Sequence, residues 1–245
     1  MDPVQVVDLV KKFGEFQALK GISFSVRRGE IYCLVGPNGA GKTTTFRILS
    51  TLILPTSGDA YIEGLHIIDH ADEIRKIISY LPEDVGTYKN LTGYEYLRFI
   101  AKIYSRSKHE IDKVLDRGIE ISGLADSELR KPMKTYSKGM KRRIQIARTL
   151  MVNPRVAILD EPGSGLDPVQ KHFIRNTIRK YAKESGSTIL MSTHEMGEAE
   201  ELCDRIAILY SGSILVEGTP KEIVEDLGEV NLEKAFIKLI SNRGG

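Results

Sequence analysis

The chain has 245 residues, 41% hydrophobic and 28% charged, a balance expected of a water-soluble globular fold large enough to bury a substantial core. Thirty-five basic residues against 33 acidic ones leave a net charge of only +2, which argues against a nucleic-acid binder, and no apolar run approaches the roughly 18 residues of a spanning helix. Cys33 and Cys203 make no metal-ligand spacing and read as buried thiols of a reducing compartment. The opening MDPVQVVDLVKKFG carries charge too early for a secretory signal, so a cytoplasmic location is expected.

In chain order, residues 4–9 and 22–26 read as antiparallel strands. The run 31–35, IYCLV, is apolar without alternation, as in a strand buried on both faces of a parallel sheet. It leads into GPNGAGKTT, and a helix is predicted over 42–52. This strand, glycine-rich turn and helix fit the pattern G-x-x-x-x-G-K-[ST]. In that pattern Gly36, Pro37, Asn38, Gly39, Ala40, Gly41, Lys42, Thr43 and Thr44 form a phosphate-binding loop, whose glycines let successive backbone N–H groups curl around the phosphates. Lys42 is expected to reach the outer phosphates and the Thr43 hydroxyl to hold Mg²⁺. An incidental Lys-Thr after a glycine turn is the competing account, and the joint presence of strand, helix and spacing outweighs it.

From about 88 to 153 the periodicity is helical throughout. Residues 156–159 form a second buried strand that delivers Asp160 to Mg²⁺ through water. Glu161, on an extended chain, points the other way and is placed to polarise an attacking water. An Asp-Glu pair after a strand is also a common helix cap, and the upstream phosphate loop favours metal and base. A helix over 170–184 and a strand over 188–192 follow. His194 then sits at the end of that strand, on the edge where α/β folds bind ligands. Strands 206–210 and 213–217 flank Ser211-Gly212 as a hairpin, residues 221–245 form a helical tail, and the final SNRGG is expected to fray.

With these motifs in order, the chain resembles the nucleotide-binding subunits of ATP-binding cassette (ABC) transporters, from Val4 to about Gly218. The resemblance implies an α/β fold: a P-loop NTPase core with a RecA-like parallel sheet and N-terminal antiparallel β strands. The core comprises 1–87 and 154–220, and 88–153 is an inserted α-helical subdomain. It further implies ATP and Mg²⁺ as ligands, a sandwich dimer of identical or different nucleotide-binding subunits, and a separate transmembrane permease on the inner face of the membrane. Phe13 stands where the family stacks an aromatic ring on adenine. SYLPEDVGTY resembles the family's lid, with Glu83 in the place of its usual glutamine, a Mg²⁺ ligand and a hint of export. SGLDP resembles the loop that couples two sites, with Asp167 at the subunit interface, and STHEMGEAEELCDRIAIL resembles the switch region, with His194 bonding the γ-phosphate and orienting Glu161.

The stretch KTYSKGMKRRIQIA holds five basic residues in fourteen positions and admits three readings: a nucleic-acid patch, a solvated helix face, or a helix end aimed at a phosphate. Ser137 is a good N-cap, and Gly139 allows close backbone approach. The family's Leu-Ser-Gly-Gly-Gln becomes Tyr136-Ser137-Lys138-Gly139-Met140, so Ser137 and Gly139 are expected to meet the γ-phosphate of a partner subunit's ATP. Lys138 either adds a charge contact or points to solvent. Met140, Ile144, Ala147 and Met151 take the buried stripe, leaving Lys141, Arg142 and Arg143 as a solvated face. Two other functions are set aside. DNA-repair relatives carry a long coiled-coil insertion and translation-linked relatives usually two cassettes, neither of which this sequence holds. A GTPase would need an N-K-x-D segment, which does not occur.

Overall fold

The computed structural model describes residues 2–84, 86 and 88–241. Residues 242–245 of the tail expected to fray, and Val85 and Thr87 of the lid, lie outside them. The chain opens with the antiparallel pair β1 (Val4–Phe13) and β2 (Phe16–Val26). Both are longer than the pattern predicts, because pairing continues through three register irregularities to Phe13↔Phe16. Such bulges interrupt the alternation that a local reading depends on. The strand β3 (Ile31–Val35) and helix α1 (Lys42–Leu49) follow; α1 stops three residues before the predicted 52, capped by Ser50. After β4 (Ser57–Ile62), β5 (Leu65–His66), α2 (Ala71–Ile77) and β6 (Ile78–Leu81), the chain turns helical.

Residues 88–153 contain α3 (Gly93–Tyr104), α4 (Lys108–Ser122), the single turn α5 (Asp126–Leu129) and α6 (Lys138–Leu150), with no strand among the described residues. The starts are written locally: Thr92 and Glu95 form a reciprocal capping box on α3, Ser107 caps α4, and Ser137 caps α6. The second half of the core supplies β7 (Val156–Leu159), α7 (Pro168–Ser185), β8 (Thr188–Thr193), α8 (Met196–Leu202) and the hairpin β9 (Arg205–Tyr210) with β10 (Ser213–Gly218). The helices α9 (Pro220–Asp226) and α10 (Leu232–Ser241) end the described chain.

Two sheets result. One has four strands in the order β2-β1-β4-β5; the other has six in the order β10-β9-β3-β8-β7-β6. In the second sheet β9, β3, β8, β7 and β6 are mutually parallel and β10 is an antiparallel edge. The central β3 is buried on both faces: Ile31, Cys33 and Val35 enter one apolar cluster, Tyr32 and Leu34 another. That two-sided burial explains its unbroken apolar run. The first cluster gathers α7 and α8, the second gathers α1 and the four-stranded sheet. The cysteines, distant in sequence, both lie in the first cluster, where burial and the adjoining Cys203 push the Cys33 thiol up.

The inserted helices have their own core, with Leu97, Leu115, Ile144, Ala147 and Met151. Helix α6 belongs to two cores at once, since Ile146 and Leu150 pack with the sheet cluster. An α-helix buried on opposite sides leaves little room for a solvated face. Arg142 is accordingly only 7% exposed, against the expectation for Lys141, Arg142 and Arg143. Arg143 is half-buried too, donating to the carbonyls of Ser122 and Gly123 and lying over the ring of Phe173.

Candidate nucleotide-binding site

The phosphate loop joins the C-terminal end of β3 to α1, at the middle of the parallel sheet. Only glycine fits at two of its positions. A Cβ on Gly36 would lie 2.0 Å from the Leu209 carbonyl oxygen, and Gly41 has φ 114° with Leu19 packed where its Cβ would be. Gly41 is also the N-cap of α1 and offers no side chain to its free N–H groups. Those donors and the helix dipole are left for an anion. Lys42 is buried, and its Nζ donates to the carbonyl oxygens of Gly36 at 2.6 Å and Pro37 at 3.1 Å. A cleft of about 260 Å³ over the loop is lined by Phe16, Ala18, residues 38–44, Glu83 and Glu161.

Asp160 and Glu161 follow β7, and register decides what they meet. Leu159 pairs with Met191, so the next position beyond each strand pair sets Asp160 beside Ser192. Ser192 Oγ donates to Asp160 Oδ1 at 2.6 Å and accepts from the Glu161 N–H at 3.0 Å. Burial pushes the Asp160 carboxyl above the usual carboxylate range, against the opposing pull of the Ser192 and Thr43 hydroxyls and Lys42. Glu161 is not extended as expected: its φ of 49° is left-handed, a strained conformation for a non-glycine residue. The bend turns its carboxylate inward, with Oε1 3.2 Å from Lys42 Nζ and Oε2 2.8 Å from His194 Nδ1. Oε1 is buried and has no hydrogen-bond partner.

The donor set fits Mg²⁺. A hard cation that keeps several waters and takes phosphate oxygens needs only one or two protein oxygens. Thr43 and Asp160 supply them side by side, with Glu83 on the same cleft. Among the described residues no group of three or more His, Cys, Asp or Glu side chains is placed to hold a metal ion.

Other predicted site residues lie elsewhere. Phe13 is 50% exposed, with Lys11 Nζ 4.9 Å above its ring; across the turn its paired neighbour Phe16 is the aromatic side chain that lines the cleft. Ser137 caps α6 by accepting from the Met140 N–H. Gly139 is buried, and Gln170 occupies the space its Cβ would take, so close approach of α6 to α7 already demands glycine there. Asp167 is exposed and caps α7 through the Gln170 N–H at 3.0 Å. Lys138 reaches across to the SGLDP loop, where a Cβ on Gly165 would be 2.2 Å from its Nζ. None of Ser137, Gly139 and Asp167 lines the phosphate-loop cleft. The sequence reading missed Phe16, Ser192 and Arg142; of these, the strand register alone would have found Ser192.

A parallel sheet carrying a glycine-rich phosphate loop, with a second acidic strand end beside it, defines a P-loop NTPase. The family described as ABC transporter matches residues 19–164, and the chain belongs to that family. It is 36% identical over 242 residues to the probable multidrug ABC transporter ATP-binding protein YbhF of Escherichia coli, covering 97% of this chain and 41% of YbhF. It thus spans less than half the length of that relative. It is 41% identical to the bacitracin transport ATP-binding protein BcrA of Bacillus licheniformis, covering 87% of this chain and 69% of BcrA. Among solved structures, the dimeric ATP-binding cassette MJ0796 in a post-hydrolysis state with ADP and Pi matches with a TM-score of 0.78. That match is at 27% identity and covers 88% of this chain and 98% of that one.

Proposed function

We propose that the chain is the ATP-hydrolysing subunit of an exporter-type ABC transporter, working in a pair beneath a separate permease on the inner face of the membrane. The observation that carries the reading is the division of the site. The phosphate loop and Glu161 line one cleft, with His194 bonded to Glu161 and Asp160 to Ser192, while Ser137 and Asp167 stand exposed on a surface outside that cleft. Two cassettes facing each other would bring the second surface over the first.

In this reading the N–H groups of residues 39–44 hold the ATP phosphates, and Lys42 leaves the Gly36 and Pro37 carbonyls for the outer phosphates. Phe16 and Phe13 offer rings at the open end for the adenine. Thr43, Asp160 and Glu83 hold Mg²⁺, which when bound neutralises charge on the phosphate oxygens. Glu161, fixed by His194, takes a proton from water as the water oxygen bonds to the γ-phosphorus and the bond to the ADP oxygen breaks. Positioning and charge supply most of the catalysis.

Among the described residues no helix is long and apolar enough to cross a membrane. A cleft of about 280 Å³ between core and inserted helices is lined by Leu52, Ile78, Tyr80, Ile100 and Tyr104 together with Ser50, Ser79, Arg75 and Arg148, and Phe99 and Ile103 of the same helix α3 are exposed. A groove of mixed apolar and basic lining at this junction suits a short amphipathic helix from the permease. Relatives named for multidrug and bacitracin transport, together with Glu83 in the lid, support export. The test is affinity purification from native membranes: a polytopic membrane protein is expected to co-purify in stoichiometric amount, and recovery of ribosomes or DNA in its place contradicts the proposal.

A further inference from the structure

Arg142 is a buried cation outside the phosphate loop, and its placement gives it work in the reaction. It projects from α6, and its Nη2 donates to the Glu83 carbonyl at 2.8 Å and, at a longer 3.4 Å, to the Glu161 carbonyl. Its Nη1 reaches the Pro82 carbonyl at 3.4 Å. One guanidinium therefore touches the lid, the residue after the acidic strand, and its own signature helix. Burial works against its charge, and Glu83, Asp84, Asp160 and Glu161 favour it.

The Glu161 backbone is where this matters. Its left-handed φ persists only if the surroundings hold it. Ser192 Oγ accepts from the Glu161 N–H, and the Glu161 carbonyl accepts from the Ser164 N–H at 3.1 Å and from Arg142 at 3.4 Å, so the peptide units on both sides of the strained residue are held, with Arg142 tying the carbonyl to α6. We infer that Arg142 is a positioning residue that fixes Glu161 and the Glu83 lid to the signature helix, so that the seating of α6 sets the attitude of the base. The inference rests on Glu161 acting as the base. A planar fork spans two or three carbonyls at once, whereas an ammonium is a point charge with a different reach.

The test is steady-state ATP hydrolysis by Arg142→Lys, with Arg142→Gln beside it. Lysine keeps the buried charge and glutamine a neutral donor for one carbonyl, so one variant remains measurable if the other fails to fold. The expected result is a fall in kcat of about tenfold or more with KM for ATP within about threefold, since a misplaced base costs turnover before binding. The Mg²⁺ concentration for half-maximal rate should rise as the lid loosens. Native kcat and Mg²⁺ dependence in a folded variant would overturn the inference, as would parallel losses of kcat, ATP affinity and melting temperature. Glu161→Gln separates the two ideas: native turnover in that variant sinks Glu161 as base, whereas its loss beside an unaffected Arg142→Lys sinks only the role of Arg142.

Discussion

At the residue scale the site is a chain of carboxylates whose partners differ. Glu161 divides its oxygens between Lys42 and His194, Asp160 leans on Ser192, and Glu198 is bonded through Oε2 to the Thr193 hydroxyl at 2.6 Å while its Oε1 has no partner. Burial raises the Glu198 carboxyl above its usual range; the Thr193 bond opposes this, Glu195 and Glu161 push it higher, and Arg175 pulls it down. The folded protein thus holds that proton more tightly than the unfolded chain. Stability from this group is full below the ordinary carboxylate pKa and is lost as pH rises through the folded value. Glu198→Gln removes the charge at every pH, so its melting temperature relative to the native protein should climb as pH rises above the ordinary carboxylate range. A difference that stays constant, or falls, would show that Glu198 ionises without penalty. Of these residues, Asp160, Glu161 and His194 were legible because each ends or follows a buried strand. The left-handed turn at Glu161 was not legible, since it depends on Ser192 from another strand.

At the element scale α6 is the strut of the molecule. Its N-cap and its Ile144, Ala147, Met151 stripe follow from local pattern alone. Its second buried face does not: the carbonyls that bury Arg142 lie 60, 59 and 19 residues away, beyond the reach of helical periodicity. A basic run then looks solvated until the fold brings its acceptors to it. Because Ile146 and Leu150 join the sheet cluster and Ile144 the helical one, the two cores should unfold together. Ile146→Ala is expected to cost about 2–5 kcal/mol and to lower one cooperative denaturant transition. Two separated transitions, with the α3–α4 signal unshifted, would mean that α6 does not join them.

At the scale of the whole molecule, sheet order places the phosphate loop and His194 at the ends of adjacent strands, while Ser137 and Gly139 at the start of α6 lie outside the phosphate-loop cleft. The parallel core and the helical insert could be read from unbroken apolar runs and from helical spacing. The strand order and the reach of Lys138 over Gly165 could not, because both are set by contacts between distant segments. What the geometry leaves undone is the far wall of the nucleotide cleft, and a second cassette is the proposed source of it. Light scattering on Glu161→Gln with and without saturating Mg-ATP tests this most directly. The account predicts a monomer that doubles in mass only when ATP is present, because binding is intact and release by hydrolysis is blocked. A mass that remains monomeric at saturating ATP would contradict it.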